Sequence, residues 1–206
     1  MANVLGPFGF FQWGTASGMP NFMESHNTPY RIAAGNSTAI FFGDVVRYDV
    51  SGPTGYVVQW TAADGATSTK IPVGIFVGCE YYSTSQKKNV WNNYWPGSDA
   101  TGDVSAYIVD DPNALWKVQA ASGVTITQTS LGLNADIAST PTGSTVTGIS
   151  GMSLATPTAS SSTTFPFKVV NLITTPPGAN GTDLTTAGNY VICAWNNQLF
   201  KSIQSV

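Results

Sequence analysis

From Tyr30 onward, apolar residues recur in short alternating runs broken by Gly, Asp, Asn and Pro. Such runs, rich in Val, Ile, Tyr, Phe and Thr, are the pattern of β-strands. They predict strands at 30–34, 38–42, 44–50, 55–61, 72–82, 104–110, 114–120, 123–128, 144–149, 165–173 and 189–195. No segment sustains a 3.6-residue period, so helix is expected only as a short turn opened by Asp111-Pro112-Asn113. Asp64-Gly65 carries a hairpin-turn signal. Many short strands at fairly regular spacing predict an all-β fold, a compact β-barrel or β-sandwich with jelly-roll-like topology included.

Residues 1–29 break the pattern. Phe8, Phe10, Phe11, Trp13, Met19, Phe22 and Met23 stand among glycines and prolines, and neither strand nor helix period is sustained. The expectation is an extended N-terminal arm, residues 1–29, ahead of a single β-domain, residues 30–206. Aromatic rings are costly in water, so the arm packs on its own domain or docks on a neighbouring subunit. Phe8, Phe10, Phe11, Trp13 and Phe22 are the candidates for a contact with a partner protein or a neighbouring subunit. Residues 83–103, 150–164 and 174–188 read as loops. Trp91, Tyr94 and Trp95 fall in the first and are the candidates for a surface contact. Trp60, Trp116 and Trp195 fall in strands and read as core.

Composition sharpens this. Only 9% of the 206 residues are charged, against about 25% in ordinary soluble domains. The surface must be built from Ser, Thr, Asn, Gln and Gly, and its contacts from shape and short-range hydrogen bonds. Two readings follow: a neutral domain, or a surface covered in an assembly. The net charge of −3 and the lack of a basic face beyond Lys87-Lys88 argue against nucleic acid. No apolar run reaches the roughly 18 residues of a spanning helix, and no secretory pattern opens the chain, so no membrane partner is expected and synthesis is expected in a cytoplasm. Cys79 and Cys193 sit in apolar strand contexts and read as buried free thiols, with a disulfide between them left open.

Candidate chemistry is sparse. His26 is the one histidine, and no HExxH, CxxC, GxSxG or GxxxxGK[ST] pattern occurs. Asp110-Asp111 is a poor carboxylate pair, because neighbours in a strand point to opposite faces. No catalytic residue, metal ligand or cofactor is assigned, and the chain reads as non-enzymatic.

An ordered series of segments points to one family. Tyr30-Arg31-Ile32-Ala33 leads into Ile40-Phe41-Phe42-Gly43-Asp44-Val45-Val46. Val73-Gly74-Ile75-Phe76-Val77-Gly78-Cys79-Glu80-Tyr81 and Trp95-Pro96 follow. Then come Ala106-Tyr107-Ile108-Val109-Asp110-Asp111-Pro112, Leu115-Trp116-Lys117-Val118-Gln119-Ala120 and Leu131-Gly132-Leu133-Asn134-Ala135-Asp136-Ile137. Gly143-Ser144-Thr145-Val146-Thr147-Gly148, Phe165-Pro166-Phe167-Lys168-Val169-Val170-Asn171-Leu172 and Val191-Ile192-Cys193-Ala194-Trp195-Asn196-Asn197-Gln198 close the series. In this order, over most of residues 30–200, they resemble the head decoration (cement) proteins of tailed bacteriophages. The resemblance implies a virion structural protein on the capsid exterior, assembled in the host cytoplasm. It implies a homotrimer, with the major capsid protein and further copies of itself as partners, and no catalytic residues. On this reading, deleting residues 1–24 abolishes capsid binding and leaves a folded domain. The alternative is a carbohydrate-binding β-domain of a phage appendage or bacterial surface protein, with Trp91 and Trp95 as its platform.

Overall fold

A computed structural model describes residues 2–16, 30–52, 54–66, 70–138, 143–158 and 163–201. In chain order its strands are β1 (Phe11–Thr15), β2 (Tyr30–Ile32), β3 (Val45–Tyr48), β4 (Val57–Gln59), β5 (Pro72–Ser83) and β6 (Lys88–Asn92). They continue with β7 (Val104–Val109), β8 (Ala114–Gln119), β9 (Asn134–Ala135), β10 (Phe167–Leu172) and β11 (Tyr190–Trp195). One sheet has the order β1-β8-β11-β10-β9. The other runs β2-β7-β5-β3-β4, with β6 paired to the far end of β5. Every strand pair is antiparallel, and the described residues contain no α-helix. The fold is an all-β sandwich.

Alternation explains which residues meet. Along β8, Ala114, Trp116 and Val118 point inward, as do Val191, Cys193 and Trp195 of β11 and Phe167 and Val169 of β10. They pack against Val45, Trp60, Ile75 and Val109 from the second sheet. That sheet curls until β2 approaches β4, enclosing a second core of Ile32, Val46, Val57, Phe76, Tyr81, Ile108 and Trp95. Each large side chain buried this way contributes about 1.5–3 kcal/mol. Cys193 lies in the first core and Cys79 in the second, both as free thiols, so no disulfide joins them.

The N-terminal segment departs from the expected arm. Residues 3–8 strap across the outer face of the first sheet. The Asn3 side-chain amide donates to the carbonyls of Asp183 (2.8 Å) and Thr186 (3.2 Å), and its Oδ1 accepts from the Gly181 N–H (2.9 Å). The Gln119 side chain donates to the Val4 carbonyl and accepts from the Gly6 N–H. The chain then turns at Gly9 (φ +74°), where a Cβ would lie 2.6 Å from the Gly43 carbonyl oxygen. Phe10 enters the core, and β1 becomes the strand next to β8. Residues 2–16 are thus part of the domain; residues 17–29 lie outside the described residues. A bulge explains the missing period: Gln12 faces Trp116 and Gly14 faces Leu115, leaving Trp13 as the extra residue.

Other expectations change too. Residues 38–42 form only isolated bridges at Ile40 and Phe42. Residues 123–128 lead into a 3-10 turn (Gln128–Ser130), because Asn189 takes up the backbone of Ile126. Residues 144–149 make a turn that leaves Val146 exposed. Asp64-Gly65 does not join a hairpin, since β4 pairs with β3 and not with β5. Its carboxylate is a buried anchor instead, accepting from Arg47 Nε (2.9 Å), Lys70 Nζ (2.5 Å) and the Thr61 N–H (2.8 Å). Burial works against that charge, and the Lys70 and Arg47 bonds outweigh it, holding the carboxyl below its usual range. Asp111-Pro112-Asn113 is the expected turn, with Asp111 Oδ1 accepting from the Asn113 N–H (2.8 Å).

Candidate functional site

The candidate contact residues separate into three groups. Phe10 is core: it is 1% exposed and stacks on Phe167 (4.2 Å, 12°), which stacks on Trp195 (4.8 Å, 19°). Trp95 is core as well, at 0% exposure. Backbone bonds with Ile40 in both directions fix it, its Nε1 donates to the Asn36 carbonyl (3.1 Å), and its ring meets Tyr81 edge-on at 5.1 Å. Neither can reach a partner. Tyr94 is half-buried and stacked on Phe41 (5.5 Å, 9°). Phe22 lies outside the described residues.

Phe8 and Phe11 form a half-buried cluster on the outer face of the first sheet. Phe8 packs edge-on against Phe11 (5.5 Å) and Tyr190 (5.4 Å), Phe11 against Phe42 (5.2 Å), and Lys117 Nζ lies 4.6 Å from the Tyr190 centroid. A lysine over aromatic faces is held by their quadrupoles. Leu115, Ala194 and Ile192 extend this face, with Lys168 and Asn171 at its β10 side. Two bulges add apolar side chains: Trp13, 50% exposed, and Val170, 44% exposed, each the extra residue of its bulge. Val4 and Leu5, on the strap near Gln119 and Gly188, are exposed too. The face is therefore apolar, its charges on β8 and β10 are lysines, and sequence reasoning found only its Phe8, Phe11 and Trp13.

The third group gathers around Trp91. This residue lies on β6 and not in a loop. Strand alternation turns Val90 toward the second core and Trp91 outward, where it is 64% exposed. The hairpin that presents it is pinned by Asp99, which accepts from Ser83 Oγ (2.6 Å), Thr84 Oγ1 (2.8 Å) and the Ser85 N–H (2.9 Å). Those bonds, the Ser83 one first, hold its carboxyl down at about 2. Tyr82 spans the turn, its hydroxyl donating to the Lys87 carbonyl (3.0 Å). One row crosses four strands from Trp91 through Glu80 and Ser105 to Arg31. Tyr107 Oη donates to Glu80 Oε2 (3.2 Å), and Arg31 Nη1 donates to Ser105 Oγ (3.1 Å). Glu80, Tyr107 and Arg31 escaped the sequence reading; the exposed positions 80 and 82 of the β5 alternation were the available signal.

Other carboxylates serve the fold. Asp44 accepts from the Phe41 N–H (2.8 Å), Gln59 Nε2 (2.7 Å) and Ser150 Oγ (2.5 Å), and burial pushes it up to about 6. Asp136 accepts from Trp60 Nε1 (3.0 Å) and is likewise pushed up to about 6 by burial. Among the described residues, no three of His, Cys, Asp and Glu are grouped to hold a metal ion. Tyr56, Asp49, Asn36 and Val58 line a cleft of about 340 Å³. No family model, curated protein or solved structure matches the chain.

Proposed function

We propose that this chain is a virion structural protein, a decoration protein on the outside of a tailed-phage head that bridges and stabilises capsomers. The observation that carries the reading is the outer face of the first sheet: apolar, free of carboxylates on its β8 and β10 rows, and studded by Trp13 and Val170 at bulges. Exposed apolar surface of this kind marks contact with another protein. A chain with only 19 charged residues in 206 (8 basic plus 11 acidic) suits a surface that is largely covered. The series of segments resembling head decoration proteins favours this assembly. Attachment to the major capsid protein and to other copies in a homotrimer gives multivalent binding, which strengthens weak individual contacts. Binding the mature shell alone stabilises that shell by linkage.

The test is quantitative mass spectrometry of purified virions, followed by rebinding of recombinant protein to stripped heads. Hundreds of copies per particle support decoration; a handful places the chain in the tail. Val170→Asp with Val4→Asp should stay folded and detach from heads. Rebinding at unchanged affinity would sink the assignment of this face.

A further inference from the structure

We propose that the open end of the second sheet, around Trp91, is a binding site for a neutral carbohydrate. β5 is long enough that only its first half packs on the first sheet: Ile75 and Val77 meet that core, while beyond the buried Gly78 the exposed Glu80 and Tyr82 continue the same face into solvent. Gly78 gives the platform its shape. A Cβ there would lie 3.0 Å from Trp91 Cζ2, so the glycine leaves room for the indole, which stays 64% exposed.

Size selects the occupant. Four strands lie about 4.8 Å apart, and with β6 five residues long and β2 three, at about 3.4 Å per residue, the patch spans at most roughly 250 Å². A protein partner needs about 800 Å² per side. The patch suits one or two sugar rings. Its polar groups agree: Glu80 beside the ring is acceptor-only and has capacity beyond the Tyr107 bond, enough for a pair of sugar hydroxyls. Ser105 and Arg31 lie one and two strands further along the same row. One carboxylate and one guanidinium on the face favour a ligand without net charge, and the aromatic face takes the apolar C–H face of a pyranose.

The proposal does not depend on capsid decoration. The experiment is a glycan array of neutral and acidic oligosaccharides probed with the full chain, then titration calorimetry with the best neutral oligosaccharide. Binding should fall at least tenfold in Trp91→Ala, be partly kept in Trp91→Phe, and weaken in Glu80→Gln, all with unchanged circular dichroism. Retention of acidic glycans only, of none, or undiminished binding by Trp91→Ala would overturn it. So would loss of capsid attachment in Trp91→Ala with an unaltered glycan profile, which would make the face a protein contact. Failure of virion incorporation alongside Trp91-dependent glycan binding would overturn decoration and leave this site standing.

Discussion

Replacing Phe10 by Ala asks whether the N-terminal segment belongs to the core. The ring is 1% exposed and heads a stack through Phe167 to Trp195, which meets Trp116 edge-on at 5.7 Å. Truncating a buried Phe costs about 3–5 kcal/mol, of which ring–ring geometry supplies about 0.5–1.5. A domain of this size loses about 2–4 °C in Tm per kcal/mol, so the melting point should fall by roughly 6–20 °C. The loss is also a large part of the ~5–15 kcal/mol that holds most domains folded. Thermal and urea unfolding followed by circular dichroism measure it, with Val4→Ala, 66% exposed, as a control expected within about 0.5 kcal/mol of wild type. A drop under about 2 °C would refute the reasoning, as would a cooperative, wild-type melt from a chain lacking residues 1–24. The Phe10 stack predicts the opposite of the expectation that this truncation spares the fold.

Other outcomes follow from single features. Gly9→Ala should destabilise by about 2 kcal/mol or more in urea unfolding, because it combines φ +74° with contacts of 2.6 Å to Gly43 and Ser150. Asp64→Ala, which leaves buried Arg47 without its partner, should cost about 3 kcal/mol; a loss under about 1 would remove the anchor role. Burial raises Asp44 from the ordinary 3.8 to about 6, so the folded chain holds this proton more tightly than the unfolded one. Its contribution is full below about pH 3.8 and lost as pH rises through 6, with a slope of up to ~1.4 kcal/mol per pH unit. Stability of Asp44→Asn should fall less steeply than wild type between pH 4 and 6, and equal slopes would contradict this. Burial pushes the Cys79 thiol up to about 12 and Cys193 upward too, so a thiol reagent should label neither in the native protein and both in denaturant.

Period-two patterning was enough to place the central strands β7, β8, β10 and β11, because each buries mainly one face and so writes its register into the sequence, whereas β5, buried on both faces along its first half, showed as an apolar run. It failed where backbone irregularity interrupts the period, as at the Trp13 bulge, or where a side chain elsewhere takes over the backbone bonds, as Asn189 does at Ile126. The aromatic residues were visible, but their sides were not. Trp91 and Trp95 stand four positions apart; one points outward from β6 and the other is locked to Ile40. Only the register of the β5–β6 hairpin and the long-range pairing of Ile40 with Trp95 separate them. Glu80 acquires its neighbours Trp91 and Ser105 through the same register.

The strap is tied at Asn3 to Asp183 and at Phe8 to Tyr190 of the last strand, β11, although nearly the whole chain lies between them. A ribosome adding about 5–20 residues per second makes β1 wait roughly 5–20 s for its neighbour β8, and Phe10 wait roughly 8–30 s for Phe167. Until then Phe8 and Phe10 lack Tyr190 and Phe167, the rings that later pack on them. The glycines and proline that hide β1 from pattern reading, Gly6, Pro7, Gly9 and Gly14, also make it a poor template for premature strand pairing. The irregular N-terminus is thus a delay built into the chain: a segment too broken to pair alone, which becomes a strand only when the finished domain gives it a neighbour.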